Sequence, residues 1–592
     1  MPERPNKLSL FWEELKRRSV LRSLAIYAGS AFVVLEAATI IFPRWGFPDW
    51  VIDLVLYLLI LGAFITIIVS WIFDITPQGV QKTKPIEEIT ETEKQADSKV
   101  WKAATYISLV IIVGLITFNI VGGPKQLRAG DIQSLVILPF DNFTGDEQLE
   151  NMVASMHSLL ITDIGKVGGL QVKSRTSSSA FRNMDMTIPE IASELGADAA
   201  LETAVMCLGD TICLQFRLVS TTGDEEQLWV ADYREEKSQI LNLYNLITKH
   251  IANEVKIELS SNEERLLTNY RTVNKEAYDA FLQGYAFWGD LSEESLTKSL
   301  EFLNIAIEKD PEWAPLYAGL AQVWALRMQM RIALPSIAIP KIQENINKAL
   351  ELDPDFADSH FINGIIAVWT EWNWEKGEKE FLKALAINPN DVMSRIYYAH
   401  LLMILQRSNE ALVHGQLAVE LDPLNPLILA LFSSIMEDTH QYEEAYSYAE
   451  KAIEIDPKNE FAQKRMRFDA FNIRDYEKAF EADKKYYLPF EEEEIRSIDE
   501  VFREQGRTAA NEAIVAKFEL KAQHSFVSAN SMAYRYLQVN QLNKAVDYIV
   551  KSFEMHEPSM PYIATRGRFG QLYDNPRFID VLKKMNLPQP KN

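Results

Sequence analysis

The chain has 592 residues, a formal charge of −23 and an apolar fraction of 47%. That apolar fraction suits several globular domains of roughly 100–200 residues each, and the acidity excludes a nucleic-acid binder, whose phosphate-facing surface must be basic. Two cysteines, Cys207 and Cys213, and eight scattered histidines exclude a disulfide framework and a zinc cluster, and no metal or cofactor site is expected.

In chain order, a basic segment (1–19) runs into three apolar stretches at about 20–42, 50–73 and 104–121. Against a hydrocarbon core of ~30 Å they are expected as three transmembrane helices. Lys7, Lys16, Arg17, Arg18 and Arg22 precede or open the first, only Arg44 separates the first two, and Lys82, Lys84, Lys94, Lys99 and Lys102 lie between the last two. Basic segments mark the cytoplasmic side, so the N-terminus and the loop 75–102 are expected inside and everything after about Gly122 outside. In a bacterium this is an inner-membrane protein with periplasmic soluble domains. Glu36 falls inside the first stretch, where an ionisable group is costly. It reads either as a proton-sensing or helix-pairing site, or as a side chain bonded to a neighbouring span or reaching the interface.

From 131 to 259 the pattern changes to an α/β domain. SLVILPF (134–140) and LQVKSR (170–175) read as strands, and the stretch between them has helical apolar spacing. IPEIASELG (188–196) is a helix that starts at a proline and ends at a glycine. Two strands then flank a Gly209–Asp210 turn, QLWVADYREE (227–236) adds another, and an amphipathic helix closes the unit. LPFDNFTGD (138–146) lacks the glycines and lysine of a phosphate loop. SRTSSSAF (174–181) has no His–Asp partner in reach of the sequence, so no catalytic residue is assigned. Cys207 and Cys213 flank the turn. A three-residue turn sets them opposite each other within bridging distance; a two-residue turn sets them on opposite faces.

From 275 to 592 a repeat appears: AIEKDPEWA, ALELDPDFA, ALAINPNDV, AVELDPLNP and AIEIDPKNE, with prolines at 311, 354, 389, 423 and 457. The spacing is close to the tetratricopeptide period of about 34, apart from the first gap, where RMQMRIALPSIAIP (327–340) supplies the excess. About eight helix pairs in a solenoid are expected, ending in a capping helix. The register against the prolines puts Phe361, Ile365, Ile396, His400, Ser434 and Glu437 on the partner-binding groove. That set is mostly apolar and suits an apolar or extended partner segment, or the neighbouring domain. The run Glu491–Glu494 reads as a solvated loop.

The order LPFDNFTGD, VKSRTSSSAF, ELGADAALETAV, GDTICLQFRLVSTTGDEEQLW resembles the TolB-N-terminal-like or FlgO-like domain. Such a domain often stands between a transmembrane segment and tetratricopeptide repeats in CadC-like regulators and membrane adenylate cyclases. The opening EELKRRSVLRSLAIYAGSAFVVLE, with GFPDWV and WIFDITPQGV, looks like their membrane module. Neither a winged helix nor a cyclase domain stands before the first apolar stretch, so the resemblance implies output through a partner. The expected function is a non-enzymatic, membrane-anchored periplasmic scaffold or sensor that binds envelope or membrane proteins. The alternative is an accessory subunit of an envelope transport or assembly complex, docked through its transmembrane helices.

Overall fold

The computed structural model describes scattered positions between 20 and 38, residues 50–76 and 79–82, and residues 132–589 apart from 183, 222–226, 269–270, 290, 331, 487 and 566–568. The chain divides into two compact units, 1–125 and 126–592.

In the first unit, α1 (Trp50–Ile72) leads into an antiparallel hairpin of β1 (Phe73–Thr76) and β2 (Gly79–Lys82). Among the described residues no helix is long and apolar enough to cross a membrane. The expectation of three N-terminal transmembrane helices is corrected on that finding. Of the stretch 20–42 only 20, 23–24, 27–32, 34–35 and 38 are described, and 104–121 and Glu36 lie outside the described residues. Tyr57, Leu58, Leu61, Phe64 and Ile65 of this helix are exposed.

The second unit opens with a twisted sheet. β3 (Ser134–Ile137) runs parallel to both its neighbours, β5 (Gln171–Val172) and β6 (Ala199–Leu208). β4 (Asp141–Asn142) continues the same edge along β6, and β7 (Thr211–Ser220) and β8 (Gln227–Glu236) follow antiparallel. The crossover from β3 to β5 carries α2 (Glu150–Ile164); that from β5 to β6 carries α3 (Arg175–Ser179) and α4 (Ile188–Leu195). Because side chains alternate along a strand, each face takes a different helix. Leu135 and Ile137 pack with Val153, Met156 and Leu160 of α2, and with Leu243 and Ile247 of α5 (Ile240–Glu254). Val136 and Ala200 pack with Ile191, Ala192 and Leu195 of α4 on the other face. α4 has the ends the sequence announces: a Thr187–Glu190 capping box, Pro189 in the first turn, and Gly196 at φ +60°.

The β6–β7 hairpin pairs Leu208 with Ile212 and Cys207 with Cys213, which leaves the three residues 209–211 in the turn. The three-residue alternative is therefore the one realised, and Cys207 and Cys213 are disulfide-bonded with Cα atoms 4.8 Å apart.

After α6 (Ser261–Leu266) come antiparallel helix pairs. They are α7 and α8 (Lys275–Ala286, Glu293–Lys309), α9 and α10 (Ala314–Gln329, Pro335–Leu352), α11 and α12 (Ala357–Trp369, Trp374–Ile387), and α13 and α14 (Val392–Ile404, Ser408–Leu421). Next are α15 and α16 (Pro426–Asp438, Tyr442–Ile455), α17 and α18 (Glu460–Asn472, Tyr476–Tyr486), and α19 (Glu492–Ala522). The last pair is α20 and α21 (Ala529–Gln538, Leu542–Glu554), and α22 (Pro576–Lys584) closes the chain. Helix α19 is itself a hairpin. Gly506 sits at φ +83°, and beyond it the chain folds back so that Lys517 meets Glu494 at 3.1 Å and the Phe518 and Phe490 rings lie 5.0 Å apart. With its two halves counted as a pair, the solenoid has the eight pairs expected of tetratricopeptide-type repeats.

Small residues set the approach of paired helices. Ala411, Ala418, Ala445, Ala449 and Ala452 are fully buried, and a Cβ on Gly415 would come within 2.6 Å of the Phe432 ring. The turns inside successive pairs put Trp372, Gln406, His440 and Arg474 at φ between +53° and +64°, each 34 residues after the last. The backbone closes there by long returns past the helix end, as in Arg407 N–H to Leu402 O and Gln441 N–H to Met436 O.

The α/β domain is seated on the turns of the solenoid. Asn390 accepts from Val172 N–H at 2.9 Å and donates to the carbonyls of Gly165 and Leu170 at 2.9 and 2.8 Å. Ser177 donates to the Asp422 carboxylate at 2.5 Å and accepts from Leu424 N–H at 3.0 Å. The buried Lys173 ammonium donates to Glu420 O at 2.9 Å, at the carboxyl end of α14, where a cation suits the helix dipole.

Candidate functional site

The first helices of successive pairs, α11, α13, α15 and α17, touch one another and form the inner wall of the solenoid. Phe361 and Ile365 on α11 are half-buried, and the Phe361 ring lies 5.9 Å from that of Tyr397. Ile396 on α13 is fully buried in the core between pairs. His400 is buried at the centre of the wall. Its Nε2–H donates to Leu431 O at 3.0 Å, which leaves Nδ1 as an acceptor for the Tyr562 hydroxyl at 3.1 Å. Ser434 donates to the same Leu431 carbonyl at 2.7 Å. His400 and Ser434 therefore meet at one carbonyl, while Glu437 belongs to a separate group. Its carboxylate accepts from Arg465 at 2.8 Å and from Asn472 at 2.9 Å, and Arg465 also pairs with Asp469. Burial, reinforced by Glu437 and opposed by Arg465, raises the Asp469 carboxyl above its ordinary range.

Tyr562 lies in the C-terminal segment, which reaches the wall at α11 and α13 and is held beside it by the turns of those pairs. Gln406 donates to Ala564 O at 3.2 Å, Trp374 Nε1–H to Met585 O at 2.9 Å, and His556 Nε2–H to Thr370 O at 2.9 Å. The His556 ring stacks on Trp372 with centroids 3.5 Å apart, and Tyr562 lies 6.5 Å from Trp369. Residues 553–585 thus return to pairs more than 150 residues earlier and lie across α11 to α13. The sequence reading missed Tyr562, His556, Trp372 and Gln406. The only signal available was the density of aromatic residues in TEWNW (370–374) and MPYIA (560–564).

Among the described residues no group of three His, Cys, Asp or Glu side chains is placed to hold a metal ion. No protein-family model matches the chain. Over 199 residues the chain is 29% identical to a Rhizobium meliloti (strain 1021) protein named as an adenylate cyclase, a match covering 33% of this chain and 33% of that protein. The match thus spans about a third of the length of that curated relative. Solved structures with a similar repeat fold include the type IV pilus biogenesis factor PilW, at 14% identity and a TM-score of 0.31, covering 38% of this chain and 99% of that one. PilF of Pseudomonas aeruginosa gives 17% identity and a TM-score of 0.29, covering 42% and 98%. The tetratricopeptide protein YrrB, described as having an unusual peptide-binding site, gives 22% and 0.22, covering 32% and 92%. The paired helices and the 34-residue interval of their turns, rather than these scores, carry the tetratricopeptide assignment.

Proposed function

We propose that the chain is a non-enzymatic scaffold or sensor that binds segments of partner proteins along the inner wall of its solenoid. The observation that carries this reading is that the chain's own C-terminal segment docks Tyr562 on the wall at His400 and Trp369. The Tyr562 hydroxyl on His400 is the contact made on the wall itself, and Gln406 and Trp374, in the turn and second helix beside it, hold main-chain carbonyls of the same segment. A partner segment would compete with residues 553–585 for them.

The Cys207–Cys213 bond supports an oxidising compartment outside the cytoplasm, as in a bacterial periplasm facing the inner membrane. Envelope proteins would then be the partners. The exposed apolar side chains of α1 support attachment to lipid or to a hydrophobic envelope partner.

The test is a photo-crosslinking residue placed at Ile365 on the wall, with Val413 on the outward side of α14 as control, in living cells. Discrete products at Ile365 that are absent at Val413 are expected. No product at Ile365, or equal products at both, would refute the reading. Alkylation of cell lysates with and without reductant checks the compartment: both cysteines should resist until reduced.

A further inference from the structure

The sheet of the α/β domain has a topological switch point. From β3 the chain crosses to β5 on one side, and from β5 it crosses back to β6 on the other. The two crossovers carry their helices to opposite faces, so the carboxyl end of β3 beside β6 is left open between them. In open α/β sheets this is the place where ligands bind.

A cavity of about 330 Å³ lies there, within the range of about 300–1,000 Å³ typical of small-molecule sites. It is made by the step in the sheet edge. β3 ends opposite Leu201, where Leu138 N–H still bonds Leu201 O at 2.9 Å, and β4 starts opposite Ala204, so Pro139 and Phe140 interrupt the pairing between them. The polar lining is Asp141, Glu150, Arg182, Glu202 and Thr203, and Phe181 and Ile191 supply apolar wall.

One polar group in this lining is buried and unsatisfied, and one carboxylate is open to the cavity. Thr203 is 2% exposed, and its hydroxyl has no hydrogen-bond partner among the described residues. A buried hydroxyl without a partner is costly and is rarely kept without a use. The Asp141 carboxylate is exposed and accepts no hydrogen bond from a described residue, while Arg182 meets Glu150 only at 3.4 Å in a solvent-exposed pair. Such a pair contributes little, so the guanidinium can turn to a second carboxylate at small cost. Glu202 is paired across the sheet with Arg217 at 3.2 Å.

We propose that this cavity binds a free amino acid, whose ammonium group is met by Asp141, whose carboxylate is met by Arg182, and whose remaining polar contact is the Thr203 hydroxyl. A cavity with one carboxylate that has no hydrogen-bond partner among the described residues, one loosely held guanidinium and apolar walls is complementary to a zwitterion with a side chain. It suits neither a simple cation nor a simple anion as well. The site is separate from the inner wall of the solenoid and does not depend on the scaffold reading.

The test is isothermal titration of the full chain with each standard amino acid, with n-butylamine and butyrate as controls that lack one end. At least one amino acid should bind, and both controls should bind ~10-fold more weakly or worse. Arg182→Ala and Asp141→Asn should each weaken that amino acid by ~10-fold or more. Thr203→Val should weaken binding while leaving the Tm of the unliganded chain unchanged or higher, since the hydroxyl it removes has no partner there. A purely structural Thr203 would instead lower the Tm. The proposal is overturned if no amino acid binds, if binding survives both charge variants, or if butylamine binds as well as the amino acid.

Discussion

The solenoid and the α/β domain bury polar groups in different ways. Deep in the solenoid charged groups are buried in pairs, Arg465 with Glu437 and Asp469, and Arg467 and Arg535 together on Asp483 at 3.0 and 2.8 Å, beside neutral groups such as His400. In the α/β domain the buried polar groups are neutral and bonded to main chain. His157 Nε2–H donates to Ile137 O at 2.9 Å, and Ser155 donates to Leu282 O at 3.0 Å. The charged exceptions, Lys173 and Lys237, sit where that domain meets the solenoid, on Glu420 O and on Asp279. The difference follows from secondary structure. Helix interiors satisfy their own peptide groups, so a charge buried between helices is matched by another side chain, whereas a neutral group such as His400 can share a helical carbonyl. Strand ends and crossovers leave carbonyls free, and a neutral donor suffices. The solenoid should therefore fail when a partner is deleted, and the α/β domain when a group is protonated.

The sharpest way to break this comparison is Asp483→Ala. It removes the carboxylate shared by Arg467 and Arg535, both nearly inaccessible, and should cost about 3–5 kcal/mol in denaturant unfolding of the solenoid. A loss below about 1 kcal/mol would mean the triad is not what holds α17, α18 and α20 together.

The next effect is set by pH. Burial, partly offset by the bond to Ile137 O and reinforced by Arg175 and Arg182, lowers the His157 pKa to about 4 from the ordinary 6.5. The unfolded imidazole takes a proton below about 6.5 while the folded one resists until about 4. Stability is thus complete above pH 6.5 and is lost as pH falls toward 4, by about 3 kcal/mol over that window. Hydrogen exchange in α2 and β3 should report the loss, and His157→Gln should flatten it.

Asn390→Ala sharpens the comparison at the seam between the regions. It removes the acceptor and the donating amide that hold the crossover loop between α2 and β5 and should cost about 1–3 kcal/mol. The loop 165–172 should then become more open to protease while the helix pairs keep their melting behaviour. The smallest effect is expected at Arg474→Gly, where φ is +64°. Relief of the left-handed conformation, at about 1–2 kcal/mol, outweighs the backbone entropy of glycine, at about 0.5–1 kcal/mol. The net should be a gain within about 1 kcal/mol in thermal unfolding.

What was legible in the sequence was what repeats or alternates. The Asp-Pro and Asn-Pro steps, with alanines at fixed distance before them, placed the helix pairs, and period-two runs placed the strands. The turns within pairs were not marked, because Trp372, Gln406, His440 and Arg474 occupy left-handed positions where glycine would be the usual sign. Their conformation is imposed by the closing bonds of the helix ends. The wall residues followed from register, and the register placed Ile396 on the groove although its side chain is spent on the core. The cover over that wall was hidden for a different reason. His400 and Tyr562 are 162 residues apart, and no local pattern announces a contact at that distance. The cysteine pair depended on one residue of turn length, which composition around Gly209 and Asp210 left open.

The most direct test of the account is to lock the C-terminal segment onto the wall. Gln406→Cys and Ala564→Cys, joined by a short bis-maleimide, would hold residues 553–585 in place, while Cys207 and Cys213 are spent on each other and do not react. Crosslinking from Ile365 to partner proteins should fall at least tenfold in the locked chain and persist in the unlocked double variant, a change of about 1.4 kcal/mol or more in binding. Equal yields from the locked and unlocked chains would show that partners do not use this wall.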